Sequence, residues 1–270
     1  HARLGHPNFQ VLRQMFSRNP VQGLTLPKNA VLRHPFIPCR ACEMGKSHRQ
    51  PFPKESLAKP SRPLEIVHID LAEARDAGIH DELYALMITD GFTKYVVGST
   101  LAKKSQALEA FYQYHQHVTV VHRLPLAAIN YDCGELGSSH EFQQYCRDHG
   151  IVLRLSETRT PQQNGVAERM NRTIFEKVRT LLIHGQMPIV FWGFAFSCAI
   201  YLHNRTSKTG AKLKTPYQQW FGTMPNISHL KVFGCLCYRH VPKEKRSKLD
   251  VTSEECRFLG YAEQRKSYLL

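Results

Sequence analysis

Apolar positions change their rhythm several times along this chain. Up to about residue 50 they are sparse: Phe9, Leu12, Met15 and Phe16 share one face of a short predicted helix after Pro7 and Asn8, with a further turn near Ala30–Leu32. Pro51, Pro53, Pro60 and Pro63 then predict an extended linker, because proline lacks an amide donor and cannot sit inside a helix. From Leu64 the period becomes that of strands: Ile66–Asp70, Tyr84–Ile88, a turn at Asp90-Gly91, and Lys94–Ser99. Ser105–Val118 reads as a helix with Leu108, Phe111, Tyr112 and His115 on one face, and Ala127–Tyr131 as a further strand. Ser139 can cap a helix through Phe142, Tyr145 and Cys146 that stops at Gly150, ahead of a strand at Ile151–Leu155.

A β-β-β-α-β-α-β order of the α/β class results, with carboxylates at strand ends. Beyond a loop at Gln162–Gly165, Val166, Met170, Ile174, Val178, Leu181 and Leu182 trace a long amphipathic helix to Gly185. After Pro188, Phe191, Trp192, Phe194, Cys198 and Leu202 mark a helix to His203, and a short one surrounds Tyr217–Phe221. Strand-like pieces follow at Val232–Tyr238, Arg257–Tyr261 and Ser267–Leu270, with a basic loop, Pro242–Asp250, between the first two. The expected modules are residues 1–52, a linker 53–63, a main domain 64–205 and a basic, partly β-stranded segment 206–270.

Composition narrows the class. At 270 residues and 42% hydrophobic the chain can bury a core, and no window approaches the roughly 18 consecutive apolar residues of a membrane span. A formal charge of +14 favours a polyanionic partner, nucleic acid first, because each Lys or Arg set against a phosphate releases a counterion. Eight cysteines without a secretion signal predict a reducing compartment. His1 falls inside a motif and Leu270 inside a strand-like run, so a longer polypeptide is expected around them.

Two constellations carry chemistry. His1-x4-His6 followed by Cys39-x2-Cys42 supplies two imidazoles and two thiolates, the ligand set of a closed tetrahedral Zn²⁺ site, with His34 and His48 as competing ligands. Metal binding, on the order of 10 kcal/mol in zinc peptides, would support a module whose apolar core is small. The second constellation is acidic: Asp70 ends the first strand, Asp132 ends a later one, and Glu168 follows after 35 residues, in the first turn of the long helix. Phosphodiester chemistry needs positioning and charge neutralisation, which two Mg²⁺ ions about 3.5–4 Å apart supply when hard carboxylate oxygens hold them.

These three carboxylates, the run Thr160-Pro161-Gln162-Gln163-Asn164-Gly165-Val166-Ala167-Glu168-Arg169 and the preceding His-His-Cys-Cys set resemble the integrase of copia-type LTR retrotransposons. The resemblance continues through Phe233-Gly234-Cys235, the basic run from Val241 to Asp250 and Phe258-Leu259-Gly260-Tyr261, and so spans the chain. It implies an RNase H-like catalytic core, with an N-terminal helical zinc-binding module and a partial C-terminal β-rich module. It further implies that Asp70 shares the metals, Mg²⁺ or Mn²⁺, with Asp132 binding one and Glu168 the other. The implied partners are element DNA ends and target DNA, further copies of the chain, and the rest of the Pol polyprotein. Integration in the nucleus after assembly in a cytoplasmic particle is the implied setting.

Gln162, Gln163 and Asn164 precede the Glu168 helix, where amides can meet bases or sugars, and Arg169, Arg172 and Lys177 lie on its polar side, suited to phosphate. Lys243, Lys245, Arg246 and Lys248 suit either DNA or a localisation signal. The run Asp132-Cys133-Gly134-Glu135-Leu136-Gly137 departs from the family's usual Asn-Gly-Gly-Glu after the second Asp. A copy that binds nucleic acid without catalysis is therefore an alternative reading, and a nuclease that only hydrolyses is another.

Overall fold

Alternation within the strands sorts side chains onto two faces of one sheet, and both faces are covered. The computed structural model describes residues 60–131, 137, 139–155, 165–207, 214–262 and 267–270, together with Arg40. The chain divides into two compact units, His1–Glu55 and Ser56–Leu270, and every described strand lies in the second. The helix expected at Phe9–Phe16 and the turn at Ala30–Leu32 lie outside the described residues.

Strands β1 (Ile66–Glu73), β2 (Tyr84–Asp90) and β3 (Val96–Leu101) form an antiparallel meander. Helix α1 (Ala107–His122) returns the chain to β4 (Ala128–Tyr131), and α2 (His140–Asp148) to β5 (Val152–Leu155), both parallel to β1. The five-stranded sheet runs β3-β2-β1-β4-β5, in the expected β-β-β-α-β-α-β order. Ser139 caps α2 as the sequence predicts, accepting from Phe142 N at 3.4 Å.

Leu86 and Ile88 of β2 join Val67, Ile69 and Ile129 in a core closed by Phe111 of α1 and Phe142 of α2. Their neighbours Ala85 and Met87 point the other way, against Ile174 and Val178 of α3 (Gly165–His184) and Phe196 and Ala199 of α4 (Trp192–Thr206). Each fully buried large side chain contributes about 1.5–3 kcal/mol over exposure. Gly98 lets α4 settle on β3, since a Cβ there would lie 2.3 Å from Ile200 Cδ1. Asn204 closes the same contact: its side-chain amide donates to Val96 O at 2.8 Å and accepts from Val96 N at 2.9 Å, satisfying backbone groups on an edge strand.

Helix α5 (Pro216–Phe221) stacks Trp220 on Tyr95, centroids 4.9 Å apart. Two small ladders follow, β6 (Leu236–His240) with β7 (Ser253–Arg257) and β8 (Gly260–Ala262) with β9 (Ser267–Leu269). Tyr261 of β8 stacks on Tyr201 of α4 at 4.1 Å, and Arg205 lies 3.4 Å over the Tyr201 ring. No described helix is long and apolar enough to cross a membrane.

Several strand limits differ from those the sequence predicts. β1 runs past Asp70 to Glu73, because Leu71, Ala72 and Glu73 continue the pairing with Leu86, Ala85 and Tyr84 of β2, so Asp70 lies within the strand instead of ending it. β3 starts at Val96 because Lys94 belongs to the turn, at φ 62°. β6 starts at Leu236 because Gly234, at φ 77°, turns the chain, its amide donating to Phe258 O at 2.8 Å. The piece expected at Arg257–Tyr261 is the junction of β7 and β8, where the consecutive residues Phe258 and Leu259 are both buried.

Candidate active site

Because Val67 and Ile69 face the α1 side, His68 and Asp70 face α3. Asp70 is half-buried, opposite Met87 of β2, and its neighbour Ile69 pairs with Tyr131 at the end of β4. Asn171 of α3 donates from Nδ2 to Asp70 Oδ2 at 2.6 Å. Among the described residues Oδ1 accepts no hydrogen bond.

The same bond locates Glu168. It lies three residues before Asn171, hence on the same flank of α3, in the first turn and exposed to solvent. The structure thus brings the Asp70 strand and the Glu168 helix together through a residue that the sequence reading passed over. A signal was present: the i, i+3 spacing from Glu168 puts an amide where a strand carboxylate must be oriented.

Two carboxylates on rigid elements, one with an open oxygen and one exposed, are the hard donors a divalent cation prefers. Among the described residues no group of three His, Cys, Asp or Glu side chains is gathered to hold a metal. The third expected carboxylate, Asp132, lies outside the described residues, as do Gln162, Gln163, Asn164 and the expected zinc ligands His1, His6, Cys39 and Cys42.

The expected cations of α3 divide. Arg172 is exposed on the Glu168 side, whereas Arg169 lies nearly opposite Asn171 and Lys177 lies on the other flank of the helix. Arg169 Nε donates to Gly165 O at 2.7 Å, and Lys177 Nζ lies 3.3 Å from Ser207 Oγ, its pKa lowered by burial. Beside Asp70, His68 is 7% exposed with Nδ1 unpartnered, and burial, aided by Lys94, pushes its pKa down to about 4. The imidazole is neutral, so the positive charge here belongs to lysine and arginine.

Residues 1–47 match the GAG-pre-integrase domain, 60–161 the Integrase core domain and 235–270 the Retroviral polymerase SH3-like domain. The chain is 34% identical over 269 residues to the Retrovirus-related Pol polyprotein from transposon RE2 of Arabidopsis thaliana, a match that covers 100% of this chain and 18% of that protein. Against the corresponding polyprotein from transposon TNT 1-94 of Nicotiana tabacum it is 34% identical over 271 residues, covering 100% and 20%. It therefore spans about a fifth of the length of these relatives. A chain of the simian T-cell lymphotropic virus intasome, solved in complex with PP2A regulatory subunit B56 gamma, superimposes with TM-score 0.56 at 18% identity, over 82% of this chain and 77% of that one, and shares the fold. The mixed sheet with its carboxylate-bearing strand and helix is accordingly the RNase H-like core, and the chain belongs to the integrase family, as the integrase region of a copia-type retrotransposon Pol polyprotein.

Proposed function

We propose that this region cuts and joins DNA phosphodiesters, trimming the 3′ ends of element DNA and transferring them to a target duplex, with Asp70, Asp132 and Glu168 holding Mg²⁺ or Mn²⁺. The observation that carries the reading is the Asn171–Asp70 hydrogen bond, which ties the helix bearing Glu168 to the strand bearing Asp70. In trimming, a water oxygen bonds to phosphorus as the bond from phosphorus to the 3′ oxygen breaks. In transfer, a DNA 3′-OH bonds to a target phosphorus and a target 3′ oxygen leaves. One P–O bond forms for each that breaks, so no energy cofactor is required.

The metal would supply charge neutralisation at the phosphoryl oxygens and a more acidic nucleophile. The chain's own residues do the rest. Asn171 holds Asp70 in one rotamer with Oδ1 presented, Glu168 presents its carboxylate from the first turn of α3, and Arg172 on that flank is suited to a nearby phosphate. Gln162, Gln163 and Asn164 are proposed DNA contacts, and His1, His6, Cys39 and Cys42 are proposed Zn²⁺ ligands of the pre-integrase module. Further copies of the chain and the remaining polyprotein are its proposed partners, and the nucleus its site of action after a cytoplasmic particle.

A strand-transfer assay with labelled duplex ends, a plasmid target and Mg²⁺ or Mn²⁺, comparing the native chain with Glu168→Gln, tests this. Joined products that vanish in the variant are expected. The altered run Asp132–Gly137 favours a second reading, a non-catalytic nucleic-acid-binding copy. That reading predicts DNA binding by folded, metal-loaded protein with no joined or shortened products from either chain.

A further inference from the structure

On the side of α3 turned away from Asp70, a cleft of about 200 Å³ is lined by Val166, Arg169, Met170 and Thr173 of the helix and by Lys94 of the β2–β3 turn. The turn places Lys94 firmly: Asp90 gathers the amides of Phe92 and Thr93, and Lys94 follows in the left-handed region with its ammonium on Gly91 O. Two cations from separate elements thus share one small cleft, and among the described residues neither has a carboxylate within ion-pair distance. Their mutual cost is visible. Burial lowers the pKa of Lys94, and Arg169 lowers it further against the pull of Asp90. Like charges held together by the fold, with Asp90 acting on Lys94 only from beyond ion-pair distance among the described residues, suit an external anion.

We propose that this cleft is a second phosphate site, at which Lys94 and Arg169 hold between them one phosphodiester of a DNA strand, while Val166 and Met170 meet the adjoining sugar. The proposal rests on the DNA-handling function above and adds to it a contact apart from the phosphate being cut, because the two flanks of α3 are separated by roughly the 10 Å width of a helix. Past Thr173 a further hollow of about 380 Å³ runs along α3, but Glu176 stands beside Lys177 in its lining, so the proposed phosphate contact is confined to the first cleft.

The test is DNA binding by the 270-residue chain in EDTA over a range of KCl, for the native protein, Lys94→Gln, Arg169→Gln and the double variant. One neutralised phosphate contributes about 0.9 to the slope of log K against log salt. The double variant should lower the slope by about 0.9, so that the affinity lost between 50 and 200 mM salt shrinks about 3.5-fold, whereas two independent surface cations would lower it by about 1.8. Lys94→Arg should keep the native slope. An unchanged slope, or an additive loss, overturns the shared site. Exposed Arg169 provides a variant that folds even if Lys94→Gln does not: with Lys94 still on the phosphate, Arg169→Gln should bind DNA more weakly at fixed salt, and native affinity together with native slope in that variant also overturns the proposal.

Two DNA probes identify the strand. Loss of slope on closed circular DNA, which has no ends, assigns the phosphate to target duplex, and loss confined to a short linear duplex assigns it to the end-bearing strand. A chain that binds no DNA fails the broader function as well, while one that binds and joins DNA with native slopes in every variant fails only at the cleft.

Discussion

Asp90 and Asp70 lie on neighbouring strands of one sheet and put the same side chain to opposite uses. Asp90 is 1% exposed, and both its oxygens are spent: Oδ1 accepts from Leu64 N at 2.8 Å, and Oδ2 from Phe92 N at 3.1 Å, Thr93 N at 2.7 Å and Thr93 Oγ1 at 2.8 Å. Asp70 is half-buried and, among the described residues, accepts one bond, on Oδ2. A carboxylate offers about four lone-pair sites. The fold fills those of Asp90 to knot a turn, whereas among the described residues Asp70 has only Oδ2 engaged, by Asn171. Partner count, more than residue type or burial, separates the structural carboxylate from the candidate ligand.

An identical isosteric change at the two positions should split accordingly. Asp70→Asn should cut strand transfer by about 10³-fold, several kcal/mol of lost transition-state stabilisation, with urea unfolding unchanged. Retained joining would remove Asp70 from the site. Asp90→Asn turns an amide NH₂ toward backbone donors and should cost about 3 kcal/mol in urea unfolding. An unaltered unfolding midpoint would show that the knot does not hold the turn.

His68 sharpens the contrast by pH. It shares a strand face with Asp70 yet is used structurally, as a buried neutral ring with its pKa depressed to about 4 from 6.5. The folded chain resists a proton that the unfolded chain takes up near pH 6.5, so this contribution to stability is complete above that pH and is lost as pH falls toward 4. At about 1.4 kcal/mol per pH unit, native protein should lose roughly 2 kcal/mol from His68 between pH 7 and pH 5. His203, depressed to about 4 by burial and by Lys177, should act in the same direction. Urea unfolding of His68→Gln at both pH values checks this, and an equal loss in variant and native protein would assign the acid sensitivity elsewhere.

How legible these features were in the sequence follows from the same physics. The five-stranded sheet could be read because both faces are buried, which makes the first half of β1 and most of β2 short, nearly continuous buried runs of strand length, and because Ser139 and Gly150 mark the ends of α2. The C-terminal ladder could not. Ser253–Arg257 is polar and largely exposed, with nothing apolar to set a period, so β7 escaped notice and its neighbours were misplaced. Asp70 and Glu168 stood out through the spacing of the three carboxylates and the run Pro161-Gln162-Gln163-Asn164-Gly165 before Glu168, although Asp70 proves to lie within β1 and not at its end. Asn171 and Lys94 did not, because an amide within a helix and a lysine beside a strand look like ordinary surface until the fold shows what each touches.

Asn171 gives the finest comparison, since it is the internal donor that makes Asp70 resemble Asp90 in part. A residue that orients a ligand acts through that ligand, and losing such a partner typically costs about 10–100-fold in metal affinity or activity. Asn171→Ala should therefore lower strand transfer within that range and raise the Mg²⁺ concentration needed for half-maximal activity, with unfolding and the salt slope of DNA binding unchanged. Asn171→Asp should be worse, because it replaces the donor with a second negative charge at a bond of 2.6 Å. An Asn171→Ala protein with reduced activity but native Mg²⁺ dependence would mean that the amide serves DNA rather than Asp70, and the open oxygen on Asp70 would then owe its orientation to β1 alone.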